Sequence, residues 1–142
     1  MNFDSTRVKI DLDAISDNFD AIAAKTKVPV MAVIKADAYG HGAIPVAHTA
    51  VECGADYLAV AAVSEGVELR KAGITIPILV LSLPQPSEFT EIIERHLTPS
   101  LCDSELIRML NVTATAMGRK VPVHLKVDTG MAHVVESIVE EV

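Results

Sequence analysis

The stretch VMAVIKADAYGHGA, residues 30–43, begins as five apolar residues in a row and breaks at a lysine into a segment with a tyrosine, a histidine and two glycines. A continuous apolar run, unlike an alternating one, suits a strand covered on both faces in a parallel sheet. Lys35 then stands where a buried strand ends. Runs of the same kind recur at 57–61, 77–81, 97–102 and 121–128. Their starts fall roughly 20 to 27 residues apart, which allows one strand and one helix per unit.

The intervening segments carry helix punctuation. Residues 43–53 stop at Gly54, 65–72 follow Ser64 and stop at Gly73, and 105–117 follow Asp103 and Ser104 and stop at Gly118. Ser87 is expected to cap a helix over 88–96, after the loop Pro84-Gln85-Pro86, whose two prolines disfavour regular structure. A first helix over 14–25 follows Asp13 and places Ile15, Phe19 and Ile22 on one face. No linker, low-complexity stretch or internal boundary interrupts the series.

Repeated βα units of this length build either a doubly wound sheet or a (βα)8 barrel, and local pattern does not separate the two. A complete barrel takes roughly 250 residues. The barrel reading therefore makes this 142-residue α/β chain a partial (βα)8 barrel of about five units with parallel strands.

Composition narrows the function. Twelve Lys and Arg against 19 Asp and Glu give a formal charge of -7, so no broad cationic surface invites a nucleic acid. Half of the residues are hydrophobic and only 4% aromatic, as closely packed parallel strands and helices prefer. Cys53 and Cys102 form no C-x-x-C pair, and the histidines at 41, 48, 96 and 124 do not converge in spacing, so neither a metal site nor a disulfide framework is expected. Residues 1–11 hold four charged side chains, unlike a secretory signal, and no apolar run approaches bilayer length. A soluble cytoplasmic protein is the expectation.

In both α/β architectures the active site gathers at the carboxyl ends of the strands. A lysine there, set beside apolar residues that favour its neutral amine, condenses with an aldehyde or ketone. Tyr39 follows four residues later, where a phenol can reach a phosphate near a helix N-terminus, and Gly40 and Gly42 permit close backbone approach. Taken alone, these residues suit a carbonyl cofactor bearing a phosphate. A solvated strand-end lysine followed by a tight turn accounts for them as well.

The segment VMAVIKADAYGHGA closely resembles the pyridoxal phosphate attachment motif of bacterial alanine racemases, in which a lysine ends the first barrel strand and AYGHG follows. The likeness continues in VKIDLDAISDN, similar to that family's amino-terminal strand and first helix, in CGADYLAVAAVSEGVELRKAGITIPILVLS, similar to its second and third βα units, and in VHLKVDTGM, residues 123–131. The resemblance implies that Lys35 forms the Schiff base with pyridoxal phosphate and acts as one racemisation base, and that Tyr39 contacts the cofactor phosphate. Lys126 matches a lysine that the family often carbamylates, on a strand where alternation puts His124, Lys126 and Asp128 on one face. A plain structural lysine paired with Asp128 is the other reading of that position.

At the next matching position the chain departs from the pattern. The family has an arginine that hydrogen-bonds the cofactor ring hydroxyl, and this chain has His133, which is shorter and offers no bidentate fork. The resemblance further implies the amino-terminal part of a barrel domain over 1–142, with alanine as substrate and a homodimer at full length. A carboxyl-terminal β domain, absent here, would supply the second base, a tyrosine, across the dimer interface. One base of two is expected to leave the 142-residue chain little or no racemase activity by itself. The competing expectations are a single-domain pyridoxal phosphate homeostasis protein, which shares the strand-end lysine, and a non-catalytic associating fragment.

Overall fold

Five parallel strands run in the spatial order β1-β2-β3-β4-β5, the same as their order in the chain. The computed structural model describes residues 7–127. The strands are β1 (Met31–Val33), β2 (Tyr57–Val60), β3 (Ile78–Val80), β4 (Thr98–Leu101) and β5 (His124–Leu125). Register follows from Met31 opposite Tyr57, Leu58 opposite Ile78, Leu79 opposite Thr98 and Ser100 opposite His124. Strictly sequential order decides between the two architectures left open by the sequence. A doubly wound sheet reverses direction at a switch point, whereas each strand here adds on the same side, as in a barrel wall.

The helices are α1 (Leu12–Thr26), the short left-handed element α2 (Lys35–Gly40), α3 (Ala43–Glu52), α4 (Val63–Lys71), α5 (Phe89–Glu94) and α6 (Ser104–Ala116), with a 3-10 turn at Pro86–Glu88. Three predicted glycine stops hold. Gly54, Gly73 and Gly118 all have positive φ, and the next N–H reaches back five residues in each case: Ala55 to Ala50 O, Ile74 to Leu69 O and Arg119 to Ala114 O. That is the Schellman closure. Helix α5 closes in the same way through Leu97 N–H and Ile92 O, with His96 at φ 52° where a glycine would be expected.

Several starts differ from the sequence reading. Helix α1 begins under Asp11, whose carboxylate accepts from Ala14 N–H at 3.2 Å, so Asp13 lies inside the first turn. Helix α4 is entered at Ala62, and Ser64 is already helical. Pro86 opens the 3-10 turn, a position where its fixed φ and missing N–H cost nothing, and Ser87 is not the cap. Residues 7–10 form no strand, because none of the four ladders offers them a partner. The fifth predicted strand shortens to two paired residues, and Asp128 lies outside the described residues.

The core sits between the sheet and its helices. Ile34, Leu58, Val60, Ile78, Val80 and Leu101 point into it and meet Val46, Val63, Leu69, Phe89, Ile92 and Leu110 from the helices. Ile15 and Phe19 of α1 pack against this cluster, but Ile22 remains 55% exposed. Coverage of β1 is also one-sided, since Val33 is 42% exposed on the face turned away from the helices. Helix α4 comes closest to the layer at Gly66, where an added Cβ would stand 3.0 Å from Leu97 Cδ2. Leu97 is fully buried and has nowhere to retreat. Gly66→Val is therefore expected to cost about 2 kcal/mol through overpacking, seen as a lower denaturant midpoint at unchanged slope.

Candidate active site

Strand alternation brings the site together. Successive residues of a strand face opposite sides, so Ile34 enters the core while Lys35 faces the inner side of the sheet. Ala61, Leu79, Leu81 and Ser100 line that same side, and with Ser82, His124, Leu125 and Lys126 they enclose a cavity of about 310 Å³ around Lys35. The cavity opens at the carboxyl ends of β1 to β5, where barrel active sites are assembled. Among the described residues, its charged lining residues are both lysines, and its hydroxyl groups come from Ser82 and Ser100. A larger cavity of about 670 Å³ lies on the helix side, against α6, between residues such as Ile107, Leu110, Ala114 and Val123. Its mostly apolar lining gathers no set of groups suited to catalysis.

The turn that carries Lys35 onward is unusual. Ala36, Asp37, Ala38 and Tyr39 have φ between 51° and 56° and ψ between 35° and 53°, four consecutive left-handed residues, none of them glycine. Each such residue costs roughly 1–2 kcal/mol, and left-handed conformations normally occur singly. Strain of this kind persists only where the surroundings impose it, and it concentrates at functional sites. The bonds that impose it are specific. Ala38 N–H donates to Ile34 O at 2.9 Å, Gly42 N–H to Asp37 O at 3.0 Å and His41 N–H to Ala38 O at 3.1 Å. His41 Nδ1 lies 2.9 Å from the same Ala38 carbonyl, and Asp37 Oδ1 accepts from Ala43 N–H at 2.6 Å, tying the turn to the first residue of α3.

Lys35 and Lys126, 91 positions apart in sequence, line one cavity. Lys126 is held by its backbone, since its N–H donates to Leu101 O at 2.8 Å and so extends β5 past its last paired residue. Tyr39 lies at the end of the left-handed turn, 61% exposed, and is not among the cavity-lining residues. His133 lies outside the described residues. Sequence reasoning missed Ser82 and Ser100. Ser100 carries a usable signal, a polar residue within the run 97–102, and it is only 3% exposed, with Thr98 on the same face at 7%.

Residues 10–134 match the family model described as alanine racemase, N-terminal domain. The chain belongs to the alanine racemase N-terminal domain family. It is 47% identical over 130 residues to an alanine racemase of Symbiobacterium thermophilum, covering 91% of this chain and 34% of that protein. Against an alanine racemase of Synechocystis it is 52% identical over 106 residues, 74% of this chain and 28% of the other. A solved alanine racemase from Clostridium difficile 630 superposes with a TM-score of 0.85 at 36% identity, over 96% of this chain and 37% of that one. A histidine racemase from Leuconostoc mesenteroides superposes at 0.82 and 31% identity, over 87% and 33%. The chain thus spans about a third of the length of these racemases. The partial (βα)8 barrel expected from the sequence agrees with the five-stranded wall and with these superpositions.

Proposed function

We propose that this chain is the amino-terminal part of the barrel domain of a pyridoxal phosphate-dependent alanine racemase, with Lys35 as cofactor lysine and catalytic base. The observation that carries the reading is the placement of Lys35 at the end of β1, on a strained left-handed turn, in one cavity with Lys126. The donor set suits the group. Among the described residues, two lysines and two serine hydroxyls line the pocket, groups that suit an anion also bearing a carbonyl. When bound, pyridoxal phosphate withdraws electrons from the amino acid Cα and so acidifies its proton.

The chain's own residues then have distinct tasks. Lys35 Nζ would hold the cofactor through its carbonyl group and would serve as the base that takes up and returns the Cα proton on one face. Tyr39 would donate its phenolic O–H to the phosphate. Lys126, at the position of the lysine that the family often carbamylates, lines the cavity wall across from β1. His133 stands at the position that would orient the cofactor ring. The opposite face of Cα requires a second base, assigned to a tyrosine of a carboxyl-terminal β domain from a partner subunit. That arrangement makes the complete enzyme a homodimer, and D-alanine for peptidoglycan is its product in the cytoplasm. Among the described residues no helix is long and apolar enough to cross a membrane.

The test is chemical. The purified chain is incubated with pyridoxal phosphate, reduced with borohydride and mapped by peptide mass spectrometry. The pyridoxyl group is expected on Lys35. Labelling only at other lysines, or none, overturns the assignment.

A further inference from the structure

Glu65 stands in the first turn of α4, far from Lys35 in sequence, yet its carboxylate reaches the turn that carries it. Oε2 accepts from Ala61 N–H at 2.6 Å and from Ala62 N–H at 3.2 Å, the ordinary work of a glutamate that closes a helix start. Oε1 does something a helix cap does not need. It accepts from Ala36 N–H at 2.8 Å, 29 residues away, and Ala36 is the first of the four left-handed residues. Three backbone N–H groups from two βα units therefore meet on one carboxylate, at the rim of the cavity that Lys35 and Ala61 line.

We infer that Glu65 is a positioning residue: its carboxylate clamps the left-handed turn to the end of β2 and thereby fixes where Lys35 presents its amine. The physical need is clear. A run of left-handed residues unwinds unless something offsets its cost. Charge-assisted bonds from backbone N–H to carboxylate are among the strongest available. Ala36 is exposed, so packing does not hold it. The other end of the turn has its own carboxylate, Asp37, which holds Ala43 N–H. Glu65 secures the end next to the lysine. The functional consequence rests on the reading of Lys35 as the cofactor lysine, whereas the clamp is measurable without any cofactor.

The experiment compares wild type, Glu65→Gln and the double variant Glu65→Gln with Ala36→Gly. Amide hydrogen exchange is followed by NMR on the cofactor-free chain. Glu65→Gln keeps the shape but pairs at most one of its two ends as an acceptor, so the Ala36 and Ala38 amides are expected to exchange about tenfold faster or more, with α6 unchanged. Glycine adopts positive φ without the Cβ clash, so Ala36→Gly is expected to bring the Ala38 rate back toward wild type. Loss of helix capping alone would not respond to a glycine in the turn. The rate of borohydride-trapped pyridoxyl labelling at Lys35 is expected to fall with Glu65→Gln and recover in the double variant. Unchanged exchange in Glu65→Gln, or a rise that Ala36→Gly does not reduce, overturns the clamp. Wild-type protein that takes no label at Lys35 while exchange behaves as described supports the clamp and sinks the cofactor assignment instead.

Discussion

Replacing Lys35 with alanine in a full-length racemase carrying this segment is expected to lower the interconversion of L- and D-alanine by about a thousandfold or more, with the fold intact. One side chain supplies two effects, covalent anchoring of the cofactor and proton transfer at Cα. Positioned acid–base catalysis alone accounts for roughly 10² to 10⁴ in rate, and the loss of covalent attachment adds to it. Stability is spared because Lys35 faces the cavity while its neighbour Ile34 does the packing, 3% exposed in the core. The sheet also loses no backbone bond, since Ile34 N–H still donates to Ala59 O at 2.9 Å. Measuring kcat in both directions, alongside thermal unfolding, separates the two effects. A variant that keeps a tenth of the wild-type rate would remove Lys35 from the reaction.

How far this could be read in advance depended on the range of the interaction. Apolar runs and glycine stops are local, and among the described residues they located each of the five strands and the ends of three helices within a few residues. Strand order is not local. The choice between a doubly wound sheet and a barrel wall depends on which side each new strand joins, and nothing within residues 30–43 encodes that. The helix starts at Ala62 and Pro86 were misplaced for a related reason. The side chains that close them, Glu65 and Glu88, lie three residues past the capping positions and reach back to Ala62 N–H and Gln85 N–H, whereas the serines at 64 and 87 close neither start.

The site shows the same division. Lys35 and Lys126 were singled out from motifs, and the fold sets both in one cavity. The form of the connecting turn was not legible. Gly40 and Gly42, read from the sequence as permitting close backbone approach, take positive φ, at 85° and 91°. The four residues before Gly40 take it too, and no propensity of alanine, aspartate or tyrosine predicts that. The bonds that hold the turn combine near partners, Ile34 O and the start of α3, with one remote in sequence, Glu65, 29 residues from Ala36. Glu65 drew attention only as the first residue of a helix because its partner Ala36 is remote in sequence.

Arg70 carries the largest expected effect on stability, and it lies away from the chemistry. Its guanidinium gathers four backbone carbonyls from two connections: Nη1 donates to Ile74 O and Ile76 O, each at 2.8 Å, Nε to Arg95 O at 3.0 Å and Nη2 to His96 O at 3.1 Å. Those carbonyls precede β3 and β4, so one side chain fixes the entry of two adjacent strands at the end of the wall opposite Lys35. Burial works against the charge and pulls the guanidinium below its usual range, but an arginine stays protonated at any accessible pH. The sign of the linkage follows from that direction. A base whose proton is held less tightly in the folded state pays a constant cost below its folded pKa, so the effect of removing it is flat across the neutral range. Arg70→Ala is expected to destabilise by about 3 kcal/mol, because hydrogen bonds to a charged group are lost and part-buried carbonyls are left unmet. For a chain of this size that lowers Tm by roughly 10 °C. Arg70→Lys should recover little of it, since a single ammonium cannot span the positions that a planar fork reaches. Borohydride-trapped labelling of Lys35 below the transition should match wild type. A loss of labelling in folded Arg70→Ala would mean that the two ends of the wall are coupled and that Arg70 also helps to shape the cavity.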